Sequence, residues 1–224
     1  MVGKVNEELN AVPENLAVRI STGPRYCSGM LVAPDLNASD EPVSTPLILT
    51  CAHYFRTAPL NSFNIRGRGF RGKLDAVRVI NGTDIAIARL RRSAPPRKLL
   101  GVGSQFFYPG MKTATYGFGG NSAEANAKPG TVLFPTPLSI SRGGVTFVRP
   151  AAIQINNPKA IKGDSGGAVL AARHKDGQLC INAVQSLILD PLGINFGLAT
   201  VAPLRPHLKT LRRAADSLMA MPRS

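Results

Sequence analysis

Short apolar runs, each ended by Gly, Pro, Asn or Asp, are the feature that most restricts the fold of this chain. Examples lie at residues 16–20, 46–50, 76–80, 85–90, 131–134, 168–172 and 179–184. Runs of this length between turn residues are typical of β-sandwiches and β-barrels, whereas longer helical segments between strands would indicate a parallel sheet. The pattern therefore predicts an all-β protein.

The C-terminal segment departs from this pattern. Apolar residues recur there at steps of four, three, four and three, and they are Leu204, Leu208, Leu211, Ala215 and Leu218. This spacing places them on one face of a helix. We therefore predict a terminal α-helix over about residues 204–219.

Three short motifs carry the side chains that one catalytic chemistry requires. They are Thr50-Cys51-Ala52-His53, Thr83-Asp84-Ile85-Ala86 and Gly163-Asp164-Ser165-Gly166-Gly167. A serine hydroxyl is a weak nucleophile, so acyl transfer needs an imidazole that takes its proton and a carboxylate that orients the imidazole. His53, Asp84 and Ser165 would supply these groups. The glycines around the serine let the N–H groups of Gly163 and Ser165 point at a developing oxyanion.

The order of these motifs resembles that of the chymotrypsin/trypsin-like serine peptidases. Two further matches extend the resemblance over nearly the whole chain: Cys27-Ser28-Gly29-Met30-Leu31, and Tyr116-Gly117-Phe118-Gly119, which is similar to the family's Gly-Trp-Gly turn. The resemblance implies two six-stranded antiparallel β-barrels and a C-terminal α-helix that packs on the second barrel.

The resemblance also divides the chain into two halves. Two prolines and several charges at residues 91–98 predict a solvated linker. Residues 1–98 would then form the first barrel with His53 and Asp84, and residues 99–224 would form the second barrel with Ser165 and the terminal helix. The site would lie in the cleft between the barrels.

The function implied by the resemblance is that of a serine endopeptidase that cleaves peptide bonds through an acyl-enzyme. His53 would act as general base and then as general acid, and Asp84 would orient it. Ser165 would be the nucleophile. The backbone N–H groups of Gly163 and Ser165 would form the oxyanion hole.

The resemblance also assigns substrate contacts to five residues: Lys159, Ser186, Leu187, Ile188 and Gly197. Ser186 would also support Asp84, and residues 186–188 would bind the substrate backbone by strand addition. Lys159, at the base of the specificity pocket, would favour Asp or Glu before the scissile bond. Alternatively, Ile188 at the pocket mouth would admit only Ala, Val or Thr, with Gly197 keeping the opposite wall open.

Charge supports an alternative function. The chain carries 27 Lys and Arg against 13 Asp and Glu, a net charge of +14. The densest basic cluster contains Arg66, Arg68, Arg71 and Lys73. It suits either a flexible exposed loop or a surface that binds a polyanion such as nucleic acid. The protein could then be a catalytically silent protease-like barrel that binds a polyanion or a protein partner, although such a module would not need three catalytic groups.

Two polar stretches, at residues 35–45 and 119–130, have the small and charged residues of mobile surface loops.

A second alternative function is that of a processing domain cut from a larger polyprotein. Such a domain would still be an enzyme, but with one narrow substrate. The sequence does not separate a narrow peptidase from a broad one.

No metal and no cofactor are expected. In the resembled family the stretch at residues 66–73 corresponds to the loop where calcium-binding members place carboxylates, and Asp75 alone cannot form that site. Cys51 with His53 provides too few zinc ligands. A disulfide between Cys27 and Cys51 is conceivable if Cys51 lies on a tight helical turn. Cys180 is expected to be a buried free thiol.

The beginning of the chain leaves two alternatives. Residues 1–11 lack the apolar core of a signal peptide, so the protein is either cytoplasmic or a mature secreted domain without its leader. Met1-Val2-Gly3-Lys4 falls where activated family members begin Ile-Val-Gly-Gly. In those enzymes the new amino terminus pairs with the Asp beside the nucleophile, which is Asp164 here. The sequence leaves open whether activation depends on that pairing.

Overall fold

Two closed barrels, each with six antiparallel strands, form the protein. The structure is a computed structural model that describes residues 14–56, 58–173, 175–190 and 194–223. It confirms the expected all-β fold with a C-terminal helix. Residues 1–4, which the resemblance compared with an activated amino terminus, lie outside the described residues. No helix in the described ranges is long and apolar enough to cross a membrane.

The first barrel closes by pairing its strands in the order β1-β2-β3-β6-β5-β4. The strands are β1 (Ala17–Thr22), β2 (Arg25–Val32), β3 (Leu47–Thr50), β4 (Asn64–Gly67), β5 (Phe70–Ile80) and β6 (Ile85–Leu90). Every residue of β3 and β6 is buried, because the two strands pair with each other in the barrel wall and are covered on the outside. Strands buried on both sides are near-continuously apolar, as these two are.

The second barrel closes in the order β11-β14-β13-β12-β7-β8. Its strands are β7 (Lys112–Gly117), β8 (Asn126–Thr136), β11 (Ala151–Asn156), β12 (Ala168–Ala172), β13 (Leu179–Leu189) and β14 (Leu198–Pro203). A short hairpin of β9 (Ser139–Ile140) and β10 (Phe147–Val148) interrupts the sequence between β8 and β11. The predicted linker at residues 91–98 follows β6 and precedes β7 in the chain.

Two stretches expected to be loops form strands instead. Residues 119–130 were expected to be a mobile surface loop, but from Asn126 onward they belong to β8 and pair with β7. The expectation failed because Pro129 and Gly130 indicate a turn, whereas the pairing of β8 with two neighbours overrides that local preference. Similarly, the basic cluster is not a flexible loop but a hairpin of β4 and β5, with Arg66 paired to Arg71.

The terminal helix, α1 (Leu208–Ala220), buries Leu211, Ala215 and Leu218, as its apolar stripe predicts. It packs on β5 and β6 of the first barrel, so the expectation that it packs on the second barrel is wrong. The reason is a buried cation of β6: Arg89 pairs with Asp75 at 2.8 Å and also donates to the carbonyls of Met221 and Pro222 at 2.7 and 2.9 Å. Cations stabilise helix C-termini, where backbone carbonyls lack partners.

Candidate active site

The register of the first barrel brings His53 and Asp84 together. His53 begins a 3-10 turn, His53–Arg56, directly after β3, and Asp84 directly precedes β6. Because Thr50 of β3 pairs with Ala86 of β6, the residues just beyond the ends of these two strands are neighbours. Two residues that are 31 positions apart in sequence therefore meet at one end of the barrel.

Asp84 is fully buried and holds His53 at two points. One carboxylate oxygen lies 2.7 Å from Nδ1 of the His53 ring, and the other accepts the backbone N–H of His53 at 2.7 Å. The hydroxyl of Ser186, on β13 of the other barrel, also donates to Asp84. These contacts fix the ring orientation and leave Nε2 as the ring nitrogen that is not bonded to Asp84, since Nδ1 is occupied.

Ser165 lies on a tight turn that the first barrel holds in place. The N–H of Ser28 donates to the carbonyl of Ser165 at 2.7 Å, and the Ser28 hydroxyl donates to the carbonyl of Gly163 at 2.7 Å. Gly163 has a φ of +101° and lies against the ring of Tyr26, so a side chain there would be both strained and obstructed. Sequence reasoning missed the role of Ser28, although Cys27-Ser28-Gly29 was one of the matched motifs.

The hydroxyl of Ser165 donates to the carbonyl of Ser186 at 3.1 Å. No hydrogen bond in the described ranges joins it to His53. Both side chains nevertheless line one cavity of about 420 Å³, together with Ser186. Hydrogen bonds between catalytic groups are often long in enzymes without substrate, so this geometry is compatible with transfer of a proton after the Ser165 side chain rotates.

The backbone N–H groups of Gly163 and Ser165 donate to no acceptor within the part of the chain that the structure describes. Turn amides of this kind normally find a hydrogen-bond acceptor or water. Free N–H groups on either side of Asp164 are the arrangement that an oxyanion hole requires.

Cys51 contacts the same histidine from the barrel side. Its sulfur lies 3.9 Å from Nε2 of His53, and all three cysteines, Cys27, Cys51 and Cys180, are free and buried. Burial raises the pKa of the Cys51 thiol well above its ordinary value, so the thiol stays neutral. The disulfide that the sequence left open between Cys27 and Cys51 is not formed.

The pKa of His53 is raised by its neighbours. Burial of the ring opposes protonation, but Cys51 and the hydrogen bond with Asp84 favour the protonated ring and together outweigh that penalty. Since the Cys51 thiol is neutral, the negative charge that stabilises the imidazolium belongs to Asp84. His53 is therefore a stronger base than a free histidine.

The expected substrate residues divide between two cavities. Ser186, Leu187 and Ile188 line the cavity that contains Ser165. Lys159 lines a separate cavity of about 520 Å³, where its ammonium donates to the carbonyl of Asn195 at 2.8 Å. Gly197 is buried beside the Lys159 side chain and does not line the Ser165 cavity either.

The fold is that of known proteases. The chain superposes with a TM-score of 0.68 on the active form of the Rv3671c protease from M. tuberculosis, at 18% identity over 93% of this chain and 85% of that one. The chain has the chymotrypsin-like fold. The MamO protease domain from Magnetospirillum magneticum gives a TM-score of 0.64, at 14% identity over 92% and 98% of the two chains.

A third chymotrypsin-like relative is the HtrA-type protease AlgW, solved with a tripeptide. It gives a TM-score of 0.69 at 14% identity, over 97% of this chain and 64% of that chain. No family model and no curated protein matches the sequence. An inactive form of Rv3671c also superposes with a TM-score of 0.67, so likeness of fold does not separate an active from an inactive enzyme. Function therefore has to be argued from the site.

No group of three His, Cys, Asp or Glu side chains within the described ranges is arranged to hold a metal ion.

Proposed function

We propose that this protein is a serine endopeptidase that cleaves peptide bonds through an acyl-enzyme. The observation that carries the proposal is the chain of contacts from Ser186 through Asp84 to His53, in a cavity that also exposes the hydroxyl of Ser165. A nucleophile, a base and a group that orients the base are the parts that acyl transfer needs. Two free backbone N–H groups beside the nucleophile complete the set.

The reaction begins when Ser165 gives its proton to Nε2 of His53 and its oxygen attacks the substrate carbonyl carbon. The carbonyl oxygen becomes an oxyanion and accepts hydrogen bonds from the N–H groups of Gly163 and Ser165. His53 then gives the proton to the amide nitrogen, the C–N bond breaks, and the amine leaves. Water repeats the sequence on the acyl-enzyme and releases the acid. Asp84 stabilises the imidazolium at both steps.

The end of β13 is suited to bind the substrate backbone. Its pairing with β12 ends at Val184, whereas its pairing with β14 continues to Leu189. Residues 186–188 therefore have one edge free beside the nucleophile, where an extended peptide can add as a strand.

Labelling with a fluorophosphonate, followed by peptide mapping, tests the proposed function directly. The reagent phosphonylates only an activated serine, so the modification should map to Ser165 and should be lost when His53 is replaced by alanine. Ser104, which is exposed, serves as the internal control for unspecific labelling. If Ser165 stays unmodified in the folded protein, the site is silent and the endopeptidase proposal is wrong.

Hydrolysis should rise with pH and reach half of its maximum above pH 6.5, the ordinary pKa of histidine. His53 must be neutral to accept the serine proton, and Asp84 raises the pKa at which the ring loses its charge. The pH dependence of kcat/KM on an ester substrate measures this pKa in the free enzyme. A midpoint at or below 6.5 would contradict the proposed coupling between Asp84 and His53.

Cleavage after small residues is the specificity that the cavity favours. Ile188 lines the cavity of Ser165, whereas the ammonium of Lys159 is bonded elsewhere. We expect a peptide library to show preference for Ala, Val or Thr over Asp or Glu before the scissile bond. Ile188→Gly should increase cleavage after Leu about tenfold, since hydrophobic pockets discriminate by roughly that factor. Lys159→Met is the control, and loss of an acidic preference in that variant would instead support Lys159.

Polyanion binding is a second candidate function. Arg66, Arg68, Arg71 and Lys73 are all exposed, and they lie on the single hairpin of β4 and β5. Retention on heparin that weakens steeply with salt would support it. A protein that binds heparin but does not label at Ser165 would be the silent binding module rather than the peptidase.

A further inference from the structure

Asp164, between Gly163 and the proposed nucleophile, has a buried carboxylate that the chain satisfies completely. Its side chain has no exposed surface. One oxygen accepts the N–H of Gly119 at 2.9 Å, and the other accepts the N–H of Ile161 at 2.8 Å. Gly119 is needed for this approach, because a Cβ there would lie 2.4 Å from the carboxylate. The remaining partner is the ammonium of Lys128, which forms an ion pair with the second oxygen.

Lys128 is an unusual residue for its position. It lies on β8 of the second barrel with a side chain that is only 6% exposed, and lysine is almost never buried unless it is paired. Its backbone pairs with Thr115 of β7, so the strand fixes the point from which the side chain reaches Asp164. The ammonium is thus held by the fold rather than by a mobile segment.

The ion pair fixes the conformation of the turn that contains the proposed oxyanion hole. The backbone N–H groups of Gly163 and Ser165 flank Asp164, and the Asp164 carbonyl accepts the N–H of Gly167 at 2.9 Å. A carboxylate drawn inward by Lys128 therefore fixes the direction of the peptide units on both sides of it. A buried carboxylate without a cation would be protonated or would turn towards water, and those peptide units would move with it.

We propose that Lys128 is a positioning residue that holds the oxyanion hole in its active form, in the place where the resembled peptidases use a newly formed amino terminus. The proposal rests on the endopeptidase function above. It makes the site independent of processing, since the cation is part of the barrel from the time the chain folds.

Lys128→Met tests the proposal, because methionine fills a similar volume without the charge. We expect kcat to fall by about 10² to 10³, the usual effect of losing an oxyanion donor, while KM changes less than about threefold. Affinity for a peptide aldehyde, whose adduct places an oxyanion in the hole, should fall by a similar factor. Lys209→Met, at an exposed position on α1, is the matched control and should behave as the wild type does.

Two measurements keep the test decisive. A crystal structure of folded Lys128→Met should show the Gly163–Ser165 turn displaced, a readout that does not require activity, and an unmoved turn would overturn the proposal even if the endopeptidase function failed. If the variant does not fold, acetylation of the amino terminus of the wild-type protein shows whether Lys128 or a terminal ammonium holds the oxyanion hole. Unchanged turnover is expected, and its loss would show that a terminal ammonium is needed instead.

Discussion

Replacing Ser165 by alanine should lower kcat for peptide or ester hydrolysis by about 10⁶, the scale of loss seen when a catalytic triad loses its nucleophile. Among the described residues that line the cavity, Ser165 and Ser186 are the two serines. Ser186 is the neighbouring hydroxyl, but it donates to Asp84. Rates with substrate in excess, measured on protein shown to be folded by circular dichroism, give the change.

The same measurement on His53→Ala should show a similar loss, and the double variant should be no slower than either single variant. Members of a triad act as one unit, so their effects do not add. Ser104→Ala removes an exposed hydroxyl outside the three motifs and should keep full activity. Wild-type hydrolysis by Ser165→Ala would mean that another nucleophile is responsible.

Asp84→Asn should lower kcat by about 10⁴, because an amide in that place favours the wrong tautomer of the histidine ring. The carboxylate accepts from Nδ1 and from the backbone N–H of His53, and an amide nitrogen turned towards Nδ1 would make Nδ1 the acceptor. Nε2 would then carry the proton and could not take another from Ser165. The variant isolates the role of the charge, since its shape is nearly unchanged.

A second readout separates this effect from damage to the fold. Since the Asp84 carboxylate raises the pKa of His53, residual activity in Asp84→Asn should reach half of its maximum at lower pH than in the wild type. Asp40→Asn, an exposed position, is the control and should change neither the rate nor the midpoint. A loss of rate with an unmoved midpoint would leave Asp84 a role in folding only.

The fold could be predicted from the sequence because its strongest local signals agree with its tertiary structure. Short apolar runs became the barrel strands, and the stripe that includes Leu211 and Leu218 became the buried face of α1. The contact between His53 and Asp84 could also be predicted, because the residues on both sides of each make its motif recognisable in the sequence. The catalytic roles of these residues are still predictions.

The residues missed by sequence reasoning act through tertiary contacts. Lys128 lies in a stretch of charged and small residues, followed by Pro129, which indicates a solvent-exposed turn. Its burial depends on Asp164, 36 residues later, and a single sequence does not reveal that pairing. Ser28 was overlooked for a similar reason, because its bonds to Gly163 and Ser165 cross from one barrel to the other.

The specificity residues show a different limit. Lys159 was placed by counting six residues back from Ser165, and counting fixes a position along the chain but not the direction of a side chain. The path between the two residues ends in a turn in which the N–H of Asp164 bonds the carbonyl of Ile161. Lys159 lies before this turn and faces the neighbouring cavity.

The attachment of α1 to the first barrel joins the two halves of the protein. The helix follows β14 of the second barrel, crosses to β5 and β6, and is fastened by the carbonyls of Met221 and Pro222 to Arg89. The helix thus connects the barrel that carries Ser165 to the barrel that carries His53. We therefore expect the position of Ser165 relative to His53 to depend on residues that do not line their shared cavity.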